Sequence, residues 1–239
     1  MKKKVIIFGG TKGIGYEIFK ELKQKKFDVY AVSRKKNFLK KNDLKFYFQC
    51  NVMDEVSVRK LLNKFKKNKL NFDIIIHCIG GSFKSKNNIN GEKDFYLNWK
   101  LNFFHFIEIN NYFISKMKKN KWGRILHFSS AGTLSHKTPL AYSTAKAALN
   151  SYIINYGKQL VKYNVVLTAI SPGPINLEKR FLPLQAKNNT KFWKNFLKDH
   201  LPSKRLVKPT EILPMVNYLI SDNASYCGSN IFNIDGGYY

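Results

Sequence analysis

Short runs of consecutive apolar residues alternate along this chain with longer stretches in which apolar positions recur every three or four residues. The short runs lie at residues 5–8, 29–32, 46–50, 74–78, 125–128, 165–170 and 231–234, and each predicts a strand. Several are almost wholly apolar, as expected of parallel strands covered on both faces. Between them, helices are predicted near residues 14–25, 55–67, 92–118, 142–163 and 210–220. This alternation implies right-handed crossovers and an α/β fold, a doubly wound parallel sheet of seven strands. No internal repeat or low-complexity linker interrupts it, so residues 1–239 are read as a single domain.

Two segments fall outside the alternation. Residues 82–90 are polar and lysine-rich and predict a loop after the fourth strand. Residues 177–208 follow the sixth strand and contain Pro183, Pro202 and an amphipathic stretch with Phe192, Trp193, Phe196 and Leu197. Ligands of open α/β sheets sit beyond the carboxyl ends of the strands. An insertion there is expected to act as a substrate lid, with a simple surface flap as the alternative.

Composition narrows the setting. The 239 residues are 44% hydrophobic, enough for one sizeable core. No uninterrupted apolar stretch reaches the roughly 18 residues that predict a membrane span. Met1-Lys2-Lys3-Lys4 leads into only four apolar residues before the glycines, too short a run for a signal peptide and suited to a buried first strand. Cys50, Cys78 and Cys227 are odd in number and widely spaced, which implies neither a disulfide framework nor a zinc site and fits a reducing cytoplasm. The formal net charge is +27, a balance found in proteins that bind polyanions. The lysines are nevertheless spread along the chain, as at Lys23, Lys25, Lys26, Lys35, Lys36, Lys64, Lys66, Lys67, Lys118 and Lys119, mostly on expected solvent faces. Solvation combined with an A+T-rich coding bias explains this, and so does a functional basic surface for an acidic carrier protein, a phosphorylated cofactor or DNA.

Chemistry enters at two places. The first strand runs directly into Gly9-Gly10-Thr11-Lys12-Gly13-Ile14-Gly15. Glycines there permit a tight turn and let the backbone approach a diphosphate at the next helix's N-terminus. The position strengthens the signal, because the turn opens an amphipathic helix with Ile14, Ile18 and Leu22 on one side. The second place is Tyr142-Ser143-Thr144-Ala145-Lys146. Side chains four residues apart on a helix share a face. A phenol, with a pKa of about 10, exchanges protons poorly at neutral pH, and a neighbouring ammonium lowers that value. The pair therefore suits acid–base work on a carbonyl/alcohol couple, although helices often carry Tyr and Lys at this spacing by coincidence.

The spacing Gly9-x3-Gly13-x-Gly15 resembles the first-turn motif of the short-chain dehydrogenase/reductase family, and the resemblance spans nearly the whole chain. It implies a Rossmann-like fold and a Ser, Tyr, Lys and Asn acting together. Tyr142 and Lys146 match the family's Y-x-x-x-K signature, residues 123–130 resemble the strand that carries its serine, and Leu101-Asn102-Phe103 resembles the segment that carries its asparagine. The family's usual spacing of 13 residues before the tyrosine selects Ser129, whereas aligning the strand selects Ser130 and shortens the following loop by one residue. Strand register fixes side-chain direction and loops tolerate deletions, so Ser130 is taken, with Ser129 as the alternative.

The same resemblance implies a cofactor track. It runs from Gly9, Thr11, Lys12, Gly13, Ile14 and Gly15 through Ser33, Arg34, Asn51, Val52 and Gly80 to Tyr142, Lys146, Pro172, Gly173 and Ile175. NAD-binding members place an acid after the second strand to hold the ribose 2′-hydroxyl. Here Ser33-Arg34 stands in its place with Lys12 nearby, so NADP(H) is expected, with Arg34 as the bidentate anchor of the 2′-phosphate. Some positions depart from the pattern: Asn51-Val52 replaces Asp-Val, His77-Cys78-Ile79-Gly80 replaces Asn-Asn-Ala-Gly, and Leu177 replaces a threonine. Arg205, Pro209-Thr210-Glu211-Ile212 and Gly228…Asp235-Gly236-Gly237 complete the C-terminal pattern.

The implied reaction is NADPH-dependent reduction of a ketone to a secondary alcohol. Tyr142 gives the proton, Ser130 hydrogen-bonds the reacting oxygen, Lys146 lowers the tyrosine pKa and holds the nicotinamide ribose, and Asn102 positions a water through its helix carbonyl. No metal is expected. The pattern most resembles 3-oxoacyl-(acyl-carrier-protein) reductases, which implies a 3-oxoacyl thioester on an acidic carrier docked by Lys118, Lys119, Lys121 and Arg124. The alternative is a sugar or other small carbonyl in a specialised pathway, and a third reading is a non-catalytic basic binding protein on the same fold. Family members usually form tetramers through the fourth and fifth helices. A homotetramer or dimer is therefore expected, with Phe103, Phe104, Phe106 and Tyr112 fitting burial there or in the monomer core.

Overall fold

Seven parallel strands make one sheet: β1 (Lys4–Phe8), β2 (Asp28–Ser33), β3 (Tyr47–Gln49), β4 (Ile74–His77), β5 (Gly123–Phe128), β6 (Val165–Pro172) and β7 (Ile231–Ile234). Their order is β3-β2-β1-β4-β5-β6-β7, with every pairing parallel. The computed structural model describes residues 2–83, 91–134, 138–177 and 190–238. The chain is thus the expected Rossmann-like doubly wound sheet, and its strand order reverses between β1 and β4, where such sheets bind ligands.

Helices cover both faces because the strands are apolar on both. On one side, α1 (Gly13–Gln24) and α7 (Pro209–Leu219) press Ile18, Leu22, Val216 and Leu219 against Ile7, Ile74 and Ile76. On the other, α2 (Glu55–Lys67), α4 (His105–Asn120) and α5 (Leu140–Leu160) pack Phe65, Phe106, Phe113, Leu149 and Ile153 against Ile6, Ile75 and Ile125. The α2 helix shows the local logic. Asp54 caps it by accepting a bond from the Val56 amide at 3.0 Å, and Val58, Leu61, Leu62 and Phe65 form its buried stripe. Lys60, Lys64, Lys66 and Lys67 point to solvent, as the charge pattern predicts.

The helix expected over residues 92–118 is interrupted. It comprises α3 (Glu92–Trp99), a π-helical turn (Lys100–Phe104) and α4. A single extra residue in a turn leaves apolar spacing helical on either side, so periodicity does not reveal it. The same region divides the expected aromatics between the two alternatives: Phe106 is fully buried in the monomer core, whereas Phe104 is exposed. The amphipathic stretch after β6 forms α6 (Thr190–His200), whose Phe196 and Leu197 lean on Leu201 and Tyr238. Pro183 and the rest of 178–189, residues 84–90 of the predicted loop, and the Phe192 and Trp193 side chains lie outside the described residues. Among the described residues no helix is long and apolar enough to cross a membrane.

Candidate active site

A groove crosses the carboxyl ends of β1, β2 and β4. Its first part, about 470 Å³, is lined by Gly9, Thr11, Lys12, Ser33, Arg34, Asn51, Val52 and Gly80 among others. Its second part, about 330 Å³, is lined by Ile14, Gly80, Ser129, Ser130, Tyr142, Lys146, Pro172, Gly173 and Ile175 among others. Both parts share Cys78, Ile79 and Gly80, so they are continuous. Gly13 and Gly15 do not line the groove but shape it from below. Gly9 and Gly13 hold φ of +86° and +57°, in the left-handed region that favours glycine. At Gly15 a Cβ would drive into the carbonyl of Gly9, its carbon only 2.9 Å away. Gly15→Ala is therefore expected to displace the turn, lowering stability by about 1–3 kcal/mol and weakening dinucleotide binding at least about tenfold. Thermal unfolding and nucleotide titration would measure both, and wild-type values in both would overturn this packing argument.

At the reacting end, three predicted residues converge. A Cβ on Gly80 would lie 3.1 Å from Asn102 Oδ1 and 3.3 Å from Lys146 Nζ, so the backbone here passes close against both side chains. Asn102 is fully buried; its Nδ2 donates to the carbonyls of Gly81 and Asn98, each at 2.8 Å, while its Oδ1 accepts from the Gly81 amide at 3.2 Å. One turn earlier Asn98 repeats this clamp on Phe83, donating to its carbonyl at 3.0 Å and accepting from its amide at 3.1 Å. Asn98 on α3 and Asn102 on the π-helical turn thus tie the segment following β4 to this helical stretch.

Lys146 is 2% exposed, and its Nζ donates to the Phe128 carbonyl at 2.7 Å. Burial pulls its pKa down to about 7, with Cys78 acting weakly in the opposite direction. Burial thus opposes the charged form of this amine. Tyr142 is half-buried on α5 in the same cleft. The two candidate serines differ. Ser129 is buried, and its hydroxyl donates to Asn150 Oδ1 on α5 at 2.5 Å, whereas Ser130 is half-buried and its Oγ accepts from the Gly132 amide at 3.1 Å.

Beneath Lys146 lies a polar network inside the core. His77 on β4 and His127 on β5 are register partners and stack at 4.3 Å. Asn110 on α4 bridges them, accepting from His77 Nε2 at 2.9 Å and donating to His127 Nε2 at 3.1 Å and to the Tyr152 hydroxyl at 3.3 Å. Those bonds put the His77 proton on Nε2 and the His127 proton on Nδ1. The Phe106 ring touches three imidazoles, those of His77, His105 and His127. Burial drives the pKa of His77 and of His105 to about 3 and that of His127 well below its usual value. Asn98, Asn110 and Asn150 were not singled out from sequence. The available signal at Asn98 and Asn110 was a polar side chain at a position that the helical periodicity assigns to the core.

The groove suits a nicotinamide dinucleotide in shape and charge. Its floor is glycine where backbone must approach a ligand closely, and no Asp or Glu is among its lining residues. Lys12 and Arg34 make no ion pair among the described residues. No group of His, Cys, Asp or Glu capable of holding a metal occurs among the described residues.

Comparison with known proteins agrees with this geometry. Residues 9–239 match the family model described as Enoyl-(Acyl carrier protein) reductase. The chain is 26% identical to the 3-oxoacyl-[acyl-carrier-protein] reductase FabG of Buchnera aphidicola over 248 residues, covering 100% of this chain and 98% of that protein. It is also 26% identical to FabG of Aquifex aeolicus, covering 98% and 96% of the two chains. Among solved structures, a 4-hydroxyisoleucine dehydrogenase mutant complexed with NADH and succinate superposes with a TM-score of 0.89 at 25% identity, covering 98% of each chain. The fold is shared too with a 3-oxoacyl (acyl-carrier-protein) reductase from Agrobacterium tumefaciens with NADP bound, at a TM-score of 0.87, 18% identity and coverage of 99% and 94%. With the match extending over almost its whole length, the chain is a member of the short-chain dehydrogenase/reductase family, an NAD(P)-dependent oxidoreductase acting on CH–OH and C=O groups.

Proposed function

We propose that the protein reduces a 3-oxoacyl thioester to the 3-hydroxyacyl product with NADPH, using Asn102, Ser130, Tyr142 and Lys146. The observation that carries this reading is the meeting of Asn102, Gly80 and Lys146 beside a cleft that also holds Tyr142 and Ser130. NADPH, when bound, supplies the hydride. Tyr142 Oη donates the proton to the carbonyl oxygen, and Ser130 Oγ donates a hydrogen bond to the same oxygen as charge develops on it. Ser130 suits this role better than Ser129, whose hydroxyl is already donated to Asn150. Lys146 returns the proton to the tyrosine, a task favoured by a pKa of about 7. Asn102 acts on position: its side chain is consumed in holding Gly81 and Asn98, which leaves its main chain in the π-helical turn to order a water. Lys12 and Arg34, facing the adenosine end without acidic neighbours in the groove, support NADPH over NADH.

The FabG names of the relatives support a carrier-bound thioester, and an acidic carrier fits the +27 chain. Lys118, Lys119 and Lys121 close α4 as a basic end available for docking, whereas Arg124 is fully buried and donates to the Ser221 and Asn164 carbonyls, so it is removed from that surface. A reductase of sugars or other small carbonyls is the alternative, favoured by Cys78 in the cleft and by buried Leu177, which stands where the family resemblance implies a threonine. The proposal includes a cytoplasmic homotetramer or dimer, with exposed Tyr96, Phe104 and Leu140 as apolar area for the subunit contact, and a lid over residues 177–208. An NADPH-oxidation screen pairing acetoacetyl thioesters with sugar and cyclic ketones tests the substrate. At least about tenfold higher kcat/KM on the thioester is expected, together with a lower KM for NADPH than for NADH. Turnover confined to the other ketones, or a preference for NADH, would overturn the corresponding part.

A further inference from the structure

We propose that Asn37 is a positioning residue for cofactor choice: it locks the turn after β2 to the glycine turn, so that the cations there stand ready for a 2′-phosphate. This rests on the reading of the groove as an NADP(H) site.

Asn37 stands at the rim of the groove with φ of +42°, a left-handed conformation that Asn tolerates better than most residues. Its Nδ2 donates to Thr11 Oγ1 at 2.9 Å and to the Lys35 carbonyl at 3.0 Å. Thr11 belongs to the glycine turn and Lys35 to the turn after β2, so one amide spans two segments 24 residues apart. The other bonds converge on the same point. Ser33 Oγ donates to the Lys35 carbonyl at 2.5 Å, Thr11 Oγ1 lies 2.9 Å from Ser33 Oγ, and the Phe38 amide donates to the Thr11 carbonyl at 3.2 Å. From β3, the Tyr47 hydroxyl donates to the Ser33 carbonyl at 2.9 Å and Gln49 Nε2 to the Arg34 carbonyl at 3.2 Å.

Three successive carbonyls, those of Ser33, Arg34 and Lys35, are therefore each held by a side-chain donor, while the Arg34 and Lys35 side chains stay exposed and make no ion pair among the described residues. Side-chain bonds directed at backbone, with the cationic groups left over, are what a preorganised anion site needs. The ordering cost of the turn is met in folding and is not charged against binding. Only a ligand with a phosphate at this turn benefits, so the effect of Asn37 falls on the phosphorylated nucleotide.

Asn37→Gly keeps the left-handed backbone and removes the amide, and Asn37→Asp keeps the side-chain shape but substitutes an anion for the donor. Calorimetric titration with adenosine 2′,5′-bisphosphate and with 5′-AMP, alongside thermal unfolding, reads the result. For Asn37→Gly the bisphosphate is expected to bind about tenfold more weakly while 5′-AMP changes less than about twofold, with a larger bisphosphate loss for Asn37→Asp. Equal weakening of both probes would mark Asn37 as merely structural, and unchanged bisphosphate binding in Asn37→Gly would equally overturn the proposal. If the wild-type protein binds both probes equally well, the NADP(H) reading itself fails, and the variants then say nothing in its favour.

Discussion

Tyr142→Phe is expected to lower kcat by about 10³-fold while leaving the dissociation constant for NADPH within about twofold of wild type. The substitution removes one oxygen and keeps the ring that fills the cleft wall on α5, so cofactor contacts and packing are retained. What is lost is the only phenol that lines the reacting part of the groove among the described residues. The neighbouring amine does not replace it. Lys146 is buried with one Nζ donor on the Phe128 carbonyl, and in the proposed mechanism it returns a proton to the phenol that phenylalanine lacks. Steady-state kinetics and fluorescence titration of NADPH separate the two quantities. Turnover comparable to wild type would remove Tyr142 as proton donor, and a parallel loss of NADPH binding would mean that its role is structural.

The second large effect concerns acid. His77, His105 and His127 have folded-state pKa values far below the ordinary 6.5, each chiefly through burial. The sign follows from linkage. More than about one unit above pH 6.5 neither the folded nor the unfolded chain protonates these rings, and they add no pH dependence. As pH falls below 6.5 the unfolded chain binds protons that the folded core refuses, so stability declines until about pH 3, where His77 and His105 begin to accept them in the fold. Three such groups are expected to remove about 5 kcal/mol between pH 6.5 and 5. Carboxylates contribute less in that window, because their ordinary pKa values of about 3.9 and 4.3 lie below it. Denaturant unfolding at several pH values measures the slope, and His127→Asn should reduce it by about a third. A stability independent of pH over this interval would show that the histidines are hydrated or paired in solution.

Asn110 explains why such a costly cluster persists. Its amide joins β4, β5, α4 and α5, the elements that lead to Gly80, Ser130, Asn102 and the Tyr142/Lys146 pair. A buried polar network constrains geometry more closely than an apolar contact, which tolerates sliding, and this one is satisfied only in part. The unpartnered nitrogens His77 Nδ1, His105 Nε2 and His127 Nδ1 mark the polar atoms that this arrangement leaves over among the described residues.

The strands, most of the helices and the family motifs are legible in the chain because each depends on local spacing. An apolar run such as Val5-Ile6-Ile7-Phe8 has one stable use, inside a parallel sheet, and the glycines after it permit a turn that few other residues can adopt. Tyr142 and Lys146 share a helix face by their spacing alone. The sequence therefore determined the fold class, the place of the groove and the candidate chemistry. Tertiary structure decided what depends on distant partners. It inserted the π-helical turn before α4, buried Lys146 so that its pKa falls to about 7, committed Ser129 to Asn150 and left Ser130 beside the cleft. It also turned Arg124 inward, away from the surface on which its type alone would place it. Each of these outcomes is set by residues far away in the chain, through burial and hydrogen-bond competition, and no local pattern encodes them.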